Sequence, residues 1–249
     1  MIETWFYALV SVFIVSLISL IGIFTLSVKA KKLNKILIYF VSFSAGALLA
    51  DAFVHLLPSV VETSGFGLTI SLSLLGGILM FFILEKVIKW RHCHDADCRE
   101  HARSFAYINI LGDAVHNFID GLIIAASYIV SIPVGIATTM AVIFHEIPQE
   151  IGEFGLLLYG GFSKAKALLV NFLSALTAIL GAIAGLLLAG AFSNIQEILV
   201  PIAAGGFIYI AGSDLIPEMH KETKLAKSLI QILVFLAGIA VMIALLALE

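Results

Sequence analysis

Charged residues are scarce in this sequence of 249 residues. Asp, Glu, Lys and Arg make up only 12% of it, whereas about 25% is usual in globular proteins. Apolar residues account for 61%, compared with roughly 45–50% in an ordinary globular chain, and the mean hydropathy is +1.11. This balance excludes a soluble protein and leaves a polytopic membrane protein. The few basic residues form no stripe, so we expect no binding to nucleic acid.

Two further patterns are missing from the sequence. No Gly-x-x-x-x-Gly-Lys-Ser/Thr motif occurs, nor a polar stretch long enough for a nucleotide-binding domain, which argues against ATP-driven pumping. The apolar runs also lack the two-residue alternation of a transmembrane β-barrel. Because only helices and closed barrels satisfy their backbone hydrogen bonds inside lipid, we predict an all-α membrane protein.

Apolar runs bounded by charged or turn residues predict eight spans in one transmembrane domain covering residues 1–249. Each run reaches the length of about 20 residues that a helix needs to cross the bilayer. The runs cover residues 4–28, 36–58, 66–90, 104–130, 133–161, 164–190, 197–217 and 225–248. The first run is too long for a signal-peptide core and is preceded by Glu3 rather than a basic residue, so we expect a retained span.

Basic residues indicate the orientation of these spans, because cytoplasmic connections are enriched in Lys and Arg. With the N-terminus outside, all 14 basic residues lie at cytoplasmic connections or helix ends: Lys29, Lys31, Lys32, Lys35, Lys86, Lys89, Arg91, Arg99, Arg103, Lys164, Lys166, Lys221, Lys224 and Lys227. The opposite side has only acidic charges: Glu3, Glu62, Glu197 and Glu249. We therefore predict an integral protein of the cell (plasma) membrane with both termini outside.

A weak internal repeat links spans two and seven. Residues 45–58 (AGALLADAFVHLLP) and 204–217 (AGGFIYIAGSDLIP) align without gaps. Small apolar residues recur by chance, which explains the similarity equally well. If the repeat is genuine, the predicted orientation makes the two spans run in opposite directions, as in transporters built from inverted repeats.

Ionisable residues occur inside spans four and five, where each costs about 2.5–3.5 kcal/mol to insert. Span four contains GDAVHNFIDG (residues 112–121), and span five contains FHEIPQEIGEFG (residues 144–155). Facing lipid, the carboxylates of these two motifs would together cost more than roughly 10 kcal/mol. They must instead face water, one another or a cation.

The helical spacing of these polar residues favours a bound cation over the other two explanations. Residues four apart lie about 40° apart around a helix, so His116 and Asp120 share one face, with Asn117 beside them. His145 and Gln149 share a face of span five. Imidazole, carboxylate and amide groups suit Zn²⁺, Fe²⁺, Mn²⁺ or Cd²⁺ better than Cu⁺ or Mg²⁺. The alternative is a buried polar network that only holds the helices together.

Span five has two further features near this face. Glu146, Glu150 and Glu153 form an adjacent stripe, of which the last two could equally be solvated on the cytoplasmic side. Pro148 cannot donate a hydrogen bond to the carbonyl of Phe144, so we predict a kink that exposes this oxygen beside His145.

Polar residues of other spans are weaker candidates. Asp51 and His55 lie four apart on span two, where they could bind metal or be solvated at the interface. Asn171 on span six could be a ligand or make a helix–helix hydrogen bond. Asp214, Glu218 and His220 near the cytoplasmic end of span seven could equally be ordinary end charges.

The longest polar stretch, residues 91–103, joins spans three and four. It gathers several metal-binding residue types, namely His92, Cys93, His94, Asp95, Asp97, Cys98 and His101. A cytoplasmic loop keeps thiols reduced, so we expect no disulfide between its two cysteines. The loop could catch metal or be a flexible solvated segment.

The paired motifs HNFIDG and HEIPQEIGEFG resemble those of the Zrt/Irt-like (ZIP) family of divalent metal transporters. The second is most similar to the branch whose fifth helix reads HEIPHE. The resemblance extends over essentially the whole chain. It implies transport of zinc, and often iron, manganese or cadmium, into the cytoplasm, with the metal as substrate and no catalytic cofactor. It also implies a homodimer in which one helix bundle slides against another.

The resemblance further implies a two-metal site between helices two, four, five and six. When the family's ligands are carried over by their positions in the motifs, the ligands of the first metal are His55, His116, Asp120, His145 and Gln149. The ligands of the second metal are Asn117, Asp120, Glu146 and, as a further candidate, Asn171. Asp51 and Glu150, which are candidates from their spacing and not from the resemblance, complete the candidate set. Position 149 is His in the most similar branch and Glu in many other members, whereas Gln is a weak bridging ligand.

Two alternatives remain from the sequence. His145-Glu146 begins like the H-E-x-x-H motif of metalloproteases, which suggests an intramembrane protease. Gln149 replaces the second histidine, however, and Pro148 interrupts the helix that this motif needs. A metal-sensing receptor without transport is the other alternative, and metal uptake into vesicles would distinguish it.

Overall fold

The computed structural model of the chain describes residues 2–25, 30–90, 99–192 and 194–248, and these residues are almost entirely helical. No strand occurs among them. The prediction of an all-α membrane protein is confirmed, since seven of the described helices are long and apolar enough to span a bilayer.

Eight long helices, numbered in chain order, account for most of the described residues. They are α1 (Ile2–Ile18), α2 (Ala30–Ala50), α3 (Leu68–Trp90), α4 (Arg99–Val130), α5 (Ile132–Tyr159), α6 (Lys164–Ala175, resuming as Thr177–Ala191), α7 (Gln196–Ile210) and α8 (Leu225–Leu245). Further turns extend α2 through Asp51–Leu56 and Leu57–Ser64, and extend α7 through Ala211–Leu215 and Ile216–Met219.

Each predicted span overlaps one of these helices, and some ends differ; that the helices cross a membrane at the predicted bounds stays a prediction. Helix α4 begins at Arg99, within the stretch predicted as a loop, because a helix can continue beyond the apolar segment that hydropathy detects. Helix α5 is not among the seven apolar helices: it has 28 residues but carries His145, Glu146 and Glu150. An eighth crossing by α5 therefore stays a prediction.

The helices pack as two groups. In the first bundle, α1, α4, α5 and α6 contact one another; in the second bundle, α2 packs on α8 and α3 on α7. Helices α2 and α7 also contact each other, and the bundles meet where α2 touches α5 and α7 touches α4. The polar motifs of α4 and α5 thus lie where the two bundles face each other.

The internal repeat has a structural counterpart. A π-helical turn lies at matching positions of the two segments, Asp51–Leu56 in one and Ala211–Leu215 in the other. The turn in α2 packs on the first part of α7, and the turn in α7 packs on the first part of α2. The two helices therefore run antiparallel, as an inverted repeat requires.

Glycines allow close helix contact in both halves of this repeat. A Cβ atom at Gly46 would lie 2.1 Å from the carbonyl oxygen of Phe235 on α8, and one at Gly205 would lie 2.2 Å from that of Leu74 on α3. Such small residues let helix backbones approach each other in membranes. In both the α2–α8 pair and the α7–α3 pair, a glycine thus allows the two backbones to pack closely.

Close packing at a glycine also joins α4 to α6, and it leads to a prediction about stability. A Cβ atom at Gly181 would lie 1.9 Å from the backbone oxygen of Phe118, whereas one at Gly190, on the same helix, has nothing within 4 Å. We expect Gly181→Ala to destabilise the protein by about 1–3 kcal/mol, as overpacking does, and Gly190→Ala to leave it unchanged or slightly more stable. Thermal melting of both variants in detergent measures this; equal melting temperatures would contradict the contact.

Candidate metal centre

Four buried side chains from α4 and α5 come together between the bundles. The group consists of His116, Asp120, His145 and Glu146, and one ligand atom from each lies within 4.8 Å of all the others. His116 and Asp120 come from consecutive turns of α4, as their spacing predicts, and His145 and Glu146 are neighbours on α5. Side-chain exposure is 12% for His116 and at most 1% for the other three.

The spacing of these atoms is close to that of neighbouring ligands of one zinc ion. Nε2 of His116 lies 3.5 Å from both Asp120 Oδ2 and Glu146 Oε1. Nε2 of His145 lies 3.2 and 3.3 Å from the same two oxygens. Zinc bonds of about 2.0–2.1 Å place neighbouring tetrahedral ligands about 3.3–3.4 Å apart. The four atoms are therefore close enough to share one ion.

Backbone contact orients the His145 ring for this role. Its Nδ1 lies 3.3 Å from the carbonyl oxygen of Ala141, one turn earlier on α5. Donation from Nδ1–H to this carbonyl leaves Nε2, the atom that faces the carboxylates, available as a ligand. Phe207 on α7 packs against the same ring, with its centroid 6.0 Å away.

The charge of the group also favours a cation. Asp120 and Glu146 are buried, and no Lys or Arg occurs between Arg103 and Lys164, the segment that contains most of both helices. Buried carboxylates need a compensating charge. Two carboxylates and two neutral imidazoles around one divalent ion have no net charge, which lowers the cost of holding the ion at membrane depth.

A cavity of about 440 Å³ leads to this group. Its lining includes His116 and His145 at the buried end, and Asp214 and Glu218, which are exposed, at the other. Glu85 and Glu153 also line it. The cavity therefore connects the four-residue group to an acidic opening.

A second polar group adjoins the first and centres on Asp113, a residue outside the ligand sets that the family resemblance implies. Asn117 Nδ2 donates to Asp113 Oδ1 over 3.2 Å, and Gln149 Nε2 lies 3.4 Å from the same oxygen. Ser174 on α6 donates to Asp113 Oδ2. Gln149 lines the same cavity as His116, as its predicted face requires, but its amide nitrogen faces a carboxylate.

Glu150 and Asn171 make up the rest of the second group. Asn171 Nδ2 donates to Glu150 Oε2 and lies 3.3 Å from the backbone oxygen of Ser19. Both side chains are buried. Asn171 thus makes the helix–helix hydrogen bond that the sequence left open as an alternative, and Glu150 is not solvated.

The carbonyl beside Pro148 is not free. Ser44 Oγ on α2 donates to the backbone oxygen of Phe144 over 2.5 Å, replacing the bond that the missing proline N–H cannot make. The expectation of an exposed oxygen beside His145 was therefore wrong, because a serine from the other bundle satisfies it. Helix α5 continues through Pro148 without a break in the helix.

Asp51 and His55 lie outside the group of four. Both are buried in the π-helical turn of α2, and His55 Nε2 lies 2.8 Å from the backbone oxygen of Met242 on α8. The structure thus places His55 within the second bundle. Residues 91–98, which hold most of the predicted metal-catching loop, are outside the described residues.

Comparison with known proteins agrees with the site's geometry. The family model described as "ZIP Zinc transporter" matches residues 2–104 and 89–246. Zinc transporter ZIP13 of Pongo abelii is 35% identical over 219 residues, covering 81% of this chain and 64% of that protein. Zinc transporter zipt-7.1 of Caenorhabditis briggsae is 30% identical over 269 residues, covering 81% and 69%.

A third relative spans the whole chain. Zinc transporter SLC39A7 of Rattus norvegicus is 27% identical over 345 residues, covering 100% of this chain and 73% of that protein. These relatives are named transporters and not enzymes, so the protease alternative has no support. The family resemblance carried by the α4 and α5 motifs is confirmed, and the chain belongs to the ZIP zinc transporter family.

Proposed function

We propose that this integral membrane protein moves zinc toward the cytoplasm, and that His116, Asp120, His145 and Glu146 hold the ion on its way. The observation that carries the proposal is the meeting of these four ligand atoms where the two bundles face each other. An ion bound there contacts α4 and α5 on one side and faces α7 on the other. Movement of one bundle against the other could then change the side to which the ion is exposed.

The ligand set supports zinc as the substrate. Two imidazole nitrogens exclude ions that demand only oxygen ligands, such as Mg²⁺, and the lack of thiolate or thioether ligands in the group disfavours Cu⁺. Fe²⁺, Mn²⁺ and Cd²⁺ accept the same donor types. Competition among these ions in the uptake assay would rank them.

The charge distribution indicates the side of the membrane to which the cavity opens. Asp214 and Glu218 line the opening of the cavity and lie just before Lys221, on the side that carries all the basic residues. Basic residues mark the cytoplasmic side, so the cavity in this conformation opens to the cytoplasm. Its acidic lining attracts cations leaving or entering the site.

Uptake into sealed vesicles tests this function. Purified protein reconstituted into proteoliposomes should accumulate radioactive zinc faster than empty liposomes do. Zinc binding without accumulation would instead support the metal-sensing alternative. Chemical crosslinking in the same membranes would test the homodimer, which stays a prediction.

The orientation is tested by single cysteines in a background without Cys93 and Cys98. Labels beside Glu62 or Glu197 should react with an impermeant thiol reagent added outside intact cells, whereas labels beside Lys164 or Lys224 should not. All of the basic residues lie on the protected side in this arrangement. The opposite labelling pattern would reverse both the orientation and the transport direction.

A further inference from the structure

We propose that Ser44 is a positioning residue for transport. Its hydroxyl group joins the two bundles at Phe144, beside the metal centre, and this hydrogen bond must break whenever one bundle moves against the other. The inference rests on the proposed function, in which such movement changes the side to which the ion is exposed. It makes Ser44 a determinant of how often the protein occupies the conformation described above.

The hydrogen bond crosses from one bundle to the other. Ser44 lies on α2, in the second bundle, and has 0% exposure. Its Oγ lies 2.5 Å from the backbone oxygen of Phe144 on α5, in the first bundle. The neighbouring Phe43 packs edge-on against the Phe144 ring, with 4.6 Å between the ring centroids. Two consecutive residues of α2 therefore hold the residue that directly precedes His145.

The acceptor depends on this serine because of a proline. In a regular helix the carbonyl of Phe144 would accept the N–H of residue 148, but Pro148 has no N–H. When the bundles separate at this point, the oxygen loses the serine donor at a place lined by Phe40 and Phe43. A buried acceptor that is left unsatisfied costs free energy. The hydrogen bond therefore stabilises the arrangement of the bundles seen here.

The donor keeps an acceptor when the bundles separate. Ser44 Oγ also lies 2.7 Å from the backbone oxygen of Phe40, one turn earlier on α2. A hydroxyl group has one proton to donate, and it can turn to Phe40 when Phe144 moves away. Breaking the contact thus leaves one unsatisfied group rather than two, so the hydrogen bond biases the bundles without locking them.

The origin of the metal ligands separates this role from ion binding. The group of four comes entirely from α4 and α5, and both helices belong to the first bundle. These ligands therefore move together, whereas Ser44 acts across the boundary between the bundles. Loss of the Ser44 hydroxyl should change the populations of the conformations and leave zinc affinity, measured by calorimetric titration, within a few-fold of normal.

Spin labels on the full-length protein in proteoliposomes measure these populations. Glu62→Cys, on the extension of α2, and Gly190→Cys, on α6, place one label on each bundle at exposed positions. The background lacks the two native cysteines. Pulsed electron paramagnetic resonance then gives the distances between the labels, and the unmodified protein should show two populations whose ratio reports the position of the bundles.

Ser44→Ala should shift this ratio at least about fivefold away from the conformation described here, as expected when a buried acceptor loses its donor. Ser42→Ala is the matched control, with little expected shift. Ser42 has the same burial on the same helix, but its Oγ donates to the backbone oxygen of Ile38 within α2.

Pro148→Ala is the sharper test, because it restores the missing N–H to the Phe144 carbonyl. The oxygen then has a donor in every arrangement of the bundles, and Ser44 no longer sets their balance. We expect Pro148→Ala to shift the ratio in the same direction as Ser44→Ala, and the double variant to shift it no further than either alone. Ser44→Ala should lower the melting temperature, whereas Pro148→Ala should not.

Three results would overturn the inference. One is a ratio in Ser44→Ala equal to that in Ser42→Ala. Another is a pair of shifts from Ser44→Ala and Pro148→Ala that add, since the two residues would then act independently. The third is a single distance in the unmodified protein with and without zinc, because no bundle movement would exist for Ser44 to oppose. The proposed function fails separately: absence of zinc uptake would overturn it, while the ratios would still show what Ser44 does.

Discussion

Replacing His116 with alanine is expected to lower zinc uptake by more than about 100-fold, because loss of a direct ligand should exceed the 10–100-fold effect of outer-shell changes. The substitution removes the nitrogen that faces both Asp120 and Glu146. The two buried carboxylates then share one imidazole, and an ion bound between them has an open position. Uptake into proteoliposomes containing matched amounts of inserted protein measures the effect.

His55→Ala is the matched control within the membrane. His55 is equally buried, but its Nε2 contacts the backbone oxygen of Met242 rather than the group of four. Losing one such hydrogen bond costs about 0.5–1.5 kcal/mol of stability, and we expect zinc uptake within a few-fold of normal. Near-complete loss of uptake in His55→Ala, with normal uptake in His116→Ala, would return His55 to the ligand set and remove the site described above.

The helices could be predicted from the sequence because lipid imposes a simple rule. Each span must be apolar along its whole length, so runs of Leu, Ile, Val and Ala mark the spans directly. The rule is weakest where function requires polar residues, and α5 is the helix that does not meet it. The start of α4 at Arg99 was also missed, because the first turns of that helix are polar.

The candidate site was only partly predictable. The spacing of His116 and Asp120 shows that they share a face, but periodicity within one helix cannot show which residues of another helix face it. The family resemblance implied that His145 joins them at the first metal, together with His55 and Gln149, and it assigned Glu146 to the second metal. The structure brings His145 and Glu146 together with His116 and Asp120 in one group. Ser44 and Ser174 were missed because a buried serine has no pattern that distinguishes it from a packing residue.

Asp113 illustrates the same limit. The sequence shows it as one of several carboxylates in the two motif helices, with nothing to indicate its donors. Only the arrangement of α4, α5 and α6 brings Asn117, Gln149 and Ser174 to its oxygens. The contact between the Gln149 amide nitrogen and Asp113 is therefore an interaction that the motif alone did not indicate.

Gln149→Glu is expected to make the protein less stable without zinc and more responsive to zinc. The new carboxylate would lie where an amide nitrogen is now 3.4 Å from Asp113 Oδ1. Two like charges about 4 Å apart repel by roughly 4 kcal/mol at an effective dielectric constant of 20. Part of this repulsion will be relieved by proton uptake or movement of the side chain, so we expect a lower melting temperature in the absence of metal.

Zinc reverses this repulsion, because a divalent ion between the carboxylates is attracted to both. We therefore expect at least tenfold tighter zinc binding, corresponding to about 1.4 kcal/mol, and a larger rise in melting temperature at saturating zinc. Turnover should fall, since an ion that is held more firmly leaves more slowly. Affinity and transport rate would then change in opposite directions.

Gln149→Met separates charge from the loss of the hydrogen bond. Methionine has similar length but neither donates to Asp113 nor carries a charge, so its melting temperature should fall without any gain in zinc affinity. Melting curves with and without zinc, together with calorimetric titration, compare the two variants with the unmodified protein. If Gln149→Glu and Gln149→Met bind zinc with the same affinity, a carboxylate at position 149 does not reach a bound ion, and the expected gain in affinity is wrong.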